Sequence, residues 1–141
     1  MELFDFQKAW EKLCDKACMN YTYLSQAERV WFNIQCLIQA VDNGGMISFF
    51  YNSGADYYIE TIEDLKILKH EKIVKLLEKI RKIFPEGDLP KDMNIRSEII
   101  SSYPDGEFDE MYEEIDNEFY DLEKKLEEDL VNFILENKLN E

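Results

Sequence analysis

The stretch Asp42-Asn43-Gly44-Gly45-Met46-Ile47-Ser48-Phe49-Phe50-Tyr51-Asn52-Ser53-Gly54 restricts the fold more than any other part of the chain. Two adjacent glycines follow an apolar helical run, and three consecutive aromatics precede an Asn-Ser-Gly stop. The pattern predicts helix, hard turn, short buried helix, turn. Asn43 or Gly44 is expected to take the left-handed conformation that ends a helix, and Gly45 to let the backbone turn where a side chain would clash. Between Met46 and Tyr51 there is room for only a turn or two of helix, too little to persist by propensity. With Phe49 and Phe50 inside it, that helix must be held by packing.

Helical spacing accounts for most of the remaining apolar residues. Leu3, Phe6, Ala9, Trp10, Leu13 and Ala17 recur at steps of three and four, the mark of a first amphipathic helix. Ser25-Gln26-Ala27-Glu28 is a capping box opening a second helix that runs to about Asn43. Its broad apolar complement, Val30, Trp31, Ile34, Leu37, Ile38 and Val41, implies a central position. Asp56 or a neighbour is expected to cap a helix over Tyr57 to Leu68. A successor from Glu71 to Ile83 ends at Phe84-Pro85-Glu86-Gly87. Pro90-Lys91-Asp92 suggests a short helix to Ile100, and Ser101-Ser102-Tyr103-Pro104-Asp105-Gly106 is the clearest loop. The last helix carries one apolar stripe from Phe108 and Met111 to Phe133 and Ile134, which must pack on the rest of the domain or on another copy. A chain of 141 residues should bury about 68% of its unfolded surface. The expectation is one all-α domain over residues 1–141, with six or seven helices and a long acidic C-terminal helix.

Several chemistries lack their residues. There is no phosphate-binding glycine loop, no H-E-x-x-H helix and no nucleophile elbow. His70 is the only histidine, and Cys14 and Cys18, four apart, lack a second ligand pair, so the cysteines read as small buried hydrophobes. Neither a metal nor a cofactor is expected. No apolar run approaches the roughly 18 residues of a membrane span, and Met1-Glu2-Leu3-Phe4-Asp5 has no basic leader, which predicts a soluble, cytoplasmic protein without a membrane partner.

Charge is the sharper signal. The formal net charge is −15, and from Asp105 onward fifteen acidic residues face only Lys124, Lys125 and Lys138. By contrast Lys66, Lys69, Lys72, Lys75, Lys79, Arg81 and Lys82 are interrupted only by Glu71 and Glu78. This basic stretch either faces the acidic helix within the fold or meets it in a dimer. Along the last helix Glu110, Glu113, Glu114, Glu118 and Asp121 form a candidate partner-binding face, rising about 6 Å per four-residue step, near the spacing of backbone phosphates. Such a face repels nucleic acid, so the expected partner is a basic protein. If nucleic acid matters here, the face imitates it. A solvated surface is the simpler alternative. The glycine turn offers a second candidate: Asn43, Ser48, Asn52 and Ser53 beside Phe49 and Phe50 form either a small polar pocket, suited to an enzyme of unassigned reaction, or, with Gly44 and Gly45, a structural motif of caps and packing.

The run Asn43-Gly44-Gly45-Met46-x-x-Phe49-Phe50-x-Asn52-Ser53-x-Ala55 is preceded by Glu28-Arg29-Val30 and followed by Pro90-Lys91-Asp92-x-x-x-Arg96. With Ile115-Asp116-x-x-Phe119-Tyr120-x-Leu122-Glu123-x-x-Leu126 it resembles the DNA-mimic-protein-like family, an all-helical bacterial family with a dimeric DNA mimic among its members. The likeness covers roughly Ala27 to Asn137. It implies an all-α fold, self-association as a homodimer, and a non-enzymatic role as an acidic decoy on the DNA-binding surface of a partner such as a transcription regulator. It supplies no catalytic residue. An immunity or antagonist protein is the alternative within the same chemistry.

Overall fold

Helical periodicity becomes structure along nearly the whole of the computed structural model, which describes residues 1–141. The helices are α1 (Gln7–Met19), α2 (Gln26–Gly44), α3 (Met46–Tyr51), α4 (Tyr58–Ile67), α5 (Glu71–Arg81), α6 (Met93–Ser102) and α7 (Asp109–Glu136), with short 3₁₀ turns between some of them and no strand. The capping box opens α2 as its sequence predicts: Ser25 Oγ accepts from the Glu28 amide at 3.2 Å and Glu28 Oε1 from the Ser25 amide at 2.9 Å. Lys16 Nζ reaches the same glutamate at 2.8 Å, which ties α1 to the start of α2.

α2 is the central element and packs against α1, α3, α4 and α7. Val30, Trp31, Ile34, Leu37 and Val41 are almost wholly buried, each apolar side chain contributing about 1.5–3 kcal/mol by removal from water. Around them Phe50 meets Phe49 edge to face at 5.5 Å and Phe84 at 6.0 Å. The stripe of α7 reaches this core through Ile115, Phe119, Leu126, Leu130, Val131 and Ile134. Its apolar side is therefore covered by the protein's own helices and needs no second copy.

Three local expectations are corrected. Gly44 does not end α2 by a left-handed turn but is its last helical residue; Gly45 takes the special conformation, φ 81° and ψ 174°. Asp56 does not cap α4, whose N-cap is Tyr57 with no side-chain bond; its carboxylate is held 40 residues away by Arg96. Cys18 is exposed rather than buried, while Cys14 and Cys36 are half-buried. Elsewhere the ends shift by a residue or two: α6 begins after Asp92, whose Oδ1 accepts from the amides of Asn94 and Ile95.

Candidate functional site

α3 links the candidate surfaces, and both of its ends are fixed by charged side chains from distant sequence. At its start Asp116 of α7 accepts the Met46 amide at 2.8 Å. A carboxylate there answers free amides and the positive end of the helix, a cap supplied through space. The same carboxylate explains Gly45, because a Cβ at that position would stand 2.5 Å from Asp116 Oδ2. At the other end Arg96, wholly buried, donates to Phe50 O at 3.0 Å, Asn52 O at 2.8 Å, Pro90 O at 3.0 Å, Lys91 O at 2.6 Å and Asp56 Oδ1 at 2.8 Å. All five guanidinium N–H groups are satisfied, the condition under which a buried cation is tolerated. Sequence reasoning gave Arg96 and Asp116 no role. Apart from Pro90 and Lys91, their partners lie 40 to 70 positions away, and a lone Arg or Asp on a helix gives no local sign of that.

Packing and capping also occupy the polar groups of the glycine turn. Asn52 Nδ2 donates to Ser48 O at 2.6 Å and reaches Ser48 Oγ at 3.3 Å. Asn43 and Ser53 are exposed, Phe49 and Phe50 are in the core, and Gly44 sits on the other side of the turn, its missing Cβ facing Ser48. The structure thus joins Asn52 to Ser48, while the exposed side chains of Asn43 and Ser53 take no part in that contact.

On α7, Glu110, Glu113, Glu114, Glu118 and Asp121 are all exposed. From Glu110 to Asp121 the helix rises about 16 Å. No Lys, Arg or His nitrogen of the protein lies within 4 Å of any of the five: the six ion pairs present involve other carboxylates. The five are not equivalent. Glu118 and Asp121 share a hollow of about 320 Å³ with Lys72, Lys75 and Lys79 of α5. Glu110, Glu113 and Glu114 do not border it. The basic stretch thus faces the acidic helix across a groove, without closing onto it. That groove continues into a cleft of about 1140 Å³ between α5 and the second half of α7. There His70 Nε2 and Asp129 Oδ2 are 2.7 Å apart and Lys125 holds the other carboxylate oxygen at 2.9 Å. Although desolvation opposes it, these two partners hold Asp129 below the usual carboxylate range.

The opposite flank of α7 carries the closest group of potential metal ligands. Asp42 near the end of α2, Glu123 and Glu127 place carboxylate oxygens within 4.8 Å of one another. Glu123 Oε2 is buried without a partner, and burial, with the carboxylates of Asp42 and Glu127 close by, pushes Glu123 up to about 8. With its carboxyl raised this far, Glu123 holds its proton at neutral pH. A different network binds α2 to α4: Asp64, wholly buried, accepts from Arg29 Nη2 at 2.7 Å and Asn33 Nδ2 at 2.9 Å, and Asn33 also donates to Tyr21 OH at 2.8 Å. Burial raises Asp64 although Arg29 and Asn33 oppose the shift.

No helix is long and apolar enough to cross a membrane. Among known proteins, no curated sequence and no solved structure matches the chain. The family described as DMP19-like protein matches residues 22–137, from the 3₁₀ turn before α2 to the end of α7. That span holds the glycine turn, Arg96 and the acidic helix, and the chain belongs to the DMP19-like protein family.

Proposed function

We propose that this protein is a non-enzymatic binding module whose α7 face, centred on Glu110, Glu113 and Glu114, occupies the nucleic-acid-binding surface of a basic protein as a DNA mimic. The observation that carries this is the lack of any cationic partner for the five exposed carboxylates on a chain that has unpaired lysines to spare. Carboxylates left unneutralised along about 16 Å of rigid helix present regularly spaced negative charge to a partner. Membership of the DMP19-like family is compatible with such a role. Glu118 and Asp121 are the weaker members of the face, since the lysines of α5 share their hollow.

Capture from a cell lysate tests the reading. The parent protein should retain a basic protein at low salt and release it as salt rises from about 50 to 500 mM, over which the screening length falls from about 13 to about 4 Å. The variant Glu110→Lys/Glu113→Lys/Glu114→Lys should fold normally and retain nothing. A partner indifferent to both changes would sink the proposal. An antagonist of a basic protein that does not bind DNA would use the same face, and the identity of the retained protein separates the two.

A further inference from the structure

Where α3, the loop after α6 and the first turn of α7 meet, four aromatic side chains bound a pocket of about 240 Å³. Phe108 stands edge on to Tyr103 at 5.0 Å with 82° between the rings, and is inclined 46° to Tyr112 at 6.0 Å; Tyr51 completes the lining. Phe108 is thus set across Tyr103 and tilted to Tyr112 rather than stacked on either. Two walls are pinned from behind. Tyr103 donates its hydroxyl to Ile83 O, and Arg96 grips the carbonyls on either side of Tyr51, those of Phe50 and Asn52.

Charge at the rim is of one sign. Asp105, Glu107 and Asp109 border the pocket and no Lys, Arg or His does. None of the three carboxylates is in an ion pair. The positive end of α7 lies close by, but Asp109 and Glu110 in its first turn answer it. Burial, with Tyr51, Asp109 and Tyr103 adjacent, pushes Tyr112 up to about 12, so its ring stays neutral. Aromatic faces bearing negative π density inside an acidic rim attract a cation and repel an anion. A guanidinium suits the pocket better than an ammonium. It is planar and weakly hydrated, and it stacks on a ring while its fork engages carboxylates.

We propose that the pocket bounded by Tyr51, Tyr103, Phe108 and Tyr112 binds an arginine side chain of the basic partner, as the anchor that fixes the partner's position along α7. Its identification with the partner's anchor rests on the reading of α7 as the partner-binding face. Asp109 of its rim is next in sequence to Glu110, so an arginine seated in it would fix the partner at the N-terminal end of α7, where the carboxylate row begins.

The probe is N-acetyl-arginine amide, titrated into the full-length protein while the aromatic NMR signals are followed. Saturable shifts of the four rings are expected, with the isosteric but uncharged N-acetyl-citrulline amide giving none and the lysine analogue binding more weakly. Tyr51→Leu removes one wall at a position 39% exposed, so the fold should survive and affinity fall about fivefold. Asp105→Asn/Glu107→Gln, which leaves every ring in place, should weaken binding by a similar factor. Equal binding of citrulline, or no saturable ring shift by arginine at its solubility limit, overturns the site; a lysine analogue that binds as tightly overturns the preference for arginine. The α7 reading is judged separately. If a captured basic protein is lost on reversal of Glu110, Glu113 and Glu114 but moves none of the four rings, the pocket is refuted and the face stands. If the arginine amide binds as described while the captured protein ignores the reversal, the face is refuted and the pocket stands without its role as anchor.

Discussion

At Gly45 two independent demands meet. A φ of 81° with ψ of 174° lies in a region that essentially only glycine occupies, at a cost of about 1–3 kcal/mol for other residues, and an added Cβ would strike Asp116. Gly45→Ala should therefore destabilise the protein by about 2 kcal/mol or more in urea unfolding, while Gly44→Ala, inside the helix, should change stability by less than about 1 kcal/mol. In an Asp116→Ala background the Gly45→Ala cost should shrink to the backbone part alone. Equal costs in both backgrounds would remove Asp116 from the account. Arg96 is the other residue on which the turn depends. Arg96→Lys keeps the charge but cannot reach five acceptors set around a planar fork. With buried carbonyls left unpaired, a loss of about 3 kcal/mol is expected. A melting temperature unchanged by Arg96→Lys would contradict the role given to it.

Among the elements, α7 is a helix with three differently charged sides. One flank meets the start of α3 through Asp116 and the end of α2 through Tyr120, whose hydroxyl donates to Val41 O, and through Glu123 and Glu127 beside Asp42; another faces the lysines of α5; the acidic row between them is open to solvent. The first flank gives a pH dependence whose sign is fixed. Glu123 titrates in the unfolded chain near the ordinary glutamate value, about 4.3, and in the folded protein at about 8. Over that interval the folded state holds the extra proton, so stability falls as pH rises from about 5 to about 8. Scanning calorimetry of Glu123→Gln should show a flatter profile and a higher melting temperature than the parent at pH 8. Parallel curves for the two proteins would refute the raised Glu123 carboxyl. The second flank gives a ranking: reversal at Glu110, Glu113 and Glu114 should weaken partner binding more than reversal at Glu118 and Asp121, because Lys72, Lys75 and Lys79 already offset the latter pair. Titration of all the variants against one captured partner checks the order.

For the whole molecule, what could be read in the sequence follows the range of the interactions. The capping box at Ser25, the buried short helix over Met46–Tyr51 and the long final helix are set by neighbours within a few residues, and the structure places them as expected. Which glycine bends was hidden because Asp116 decides it from 70 residues away. Likewise Asp56 looked like a helix cap because the pull of Arg96 is not local. The box of Tyr51, Tyr103, Phe108 and Tyr112 left one local trace, two aromatics four apart at the start of α7, and that spacing is shared with any amphipathic helix. Charge polarity was visible at once, since it is a property of composition. What composition could not display is that the carboxylates at Glu110, Glu113 and Glu114 stay unpaired while those farther along face lysines.

The most direct test of the central claim is a competition on the captured basic protein: its dissociation constant for the parent chain measured with and without a short DNA duplex, across increasing salt. Mutually exclusive binding is expected, so that duplex raises the apparent constant linearly with its concentration relative to its own dissociation constant, with a steep weakening by salt for both ligands. A ternary complex of the partner with duplex and this protein together, or an affinity for this protein that does not change with salt, would contradict it.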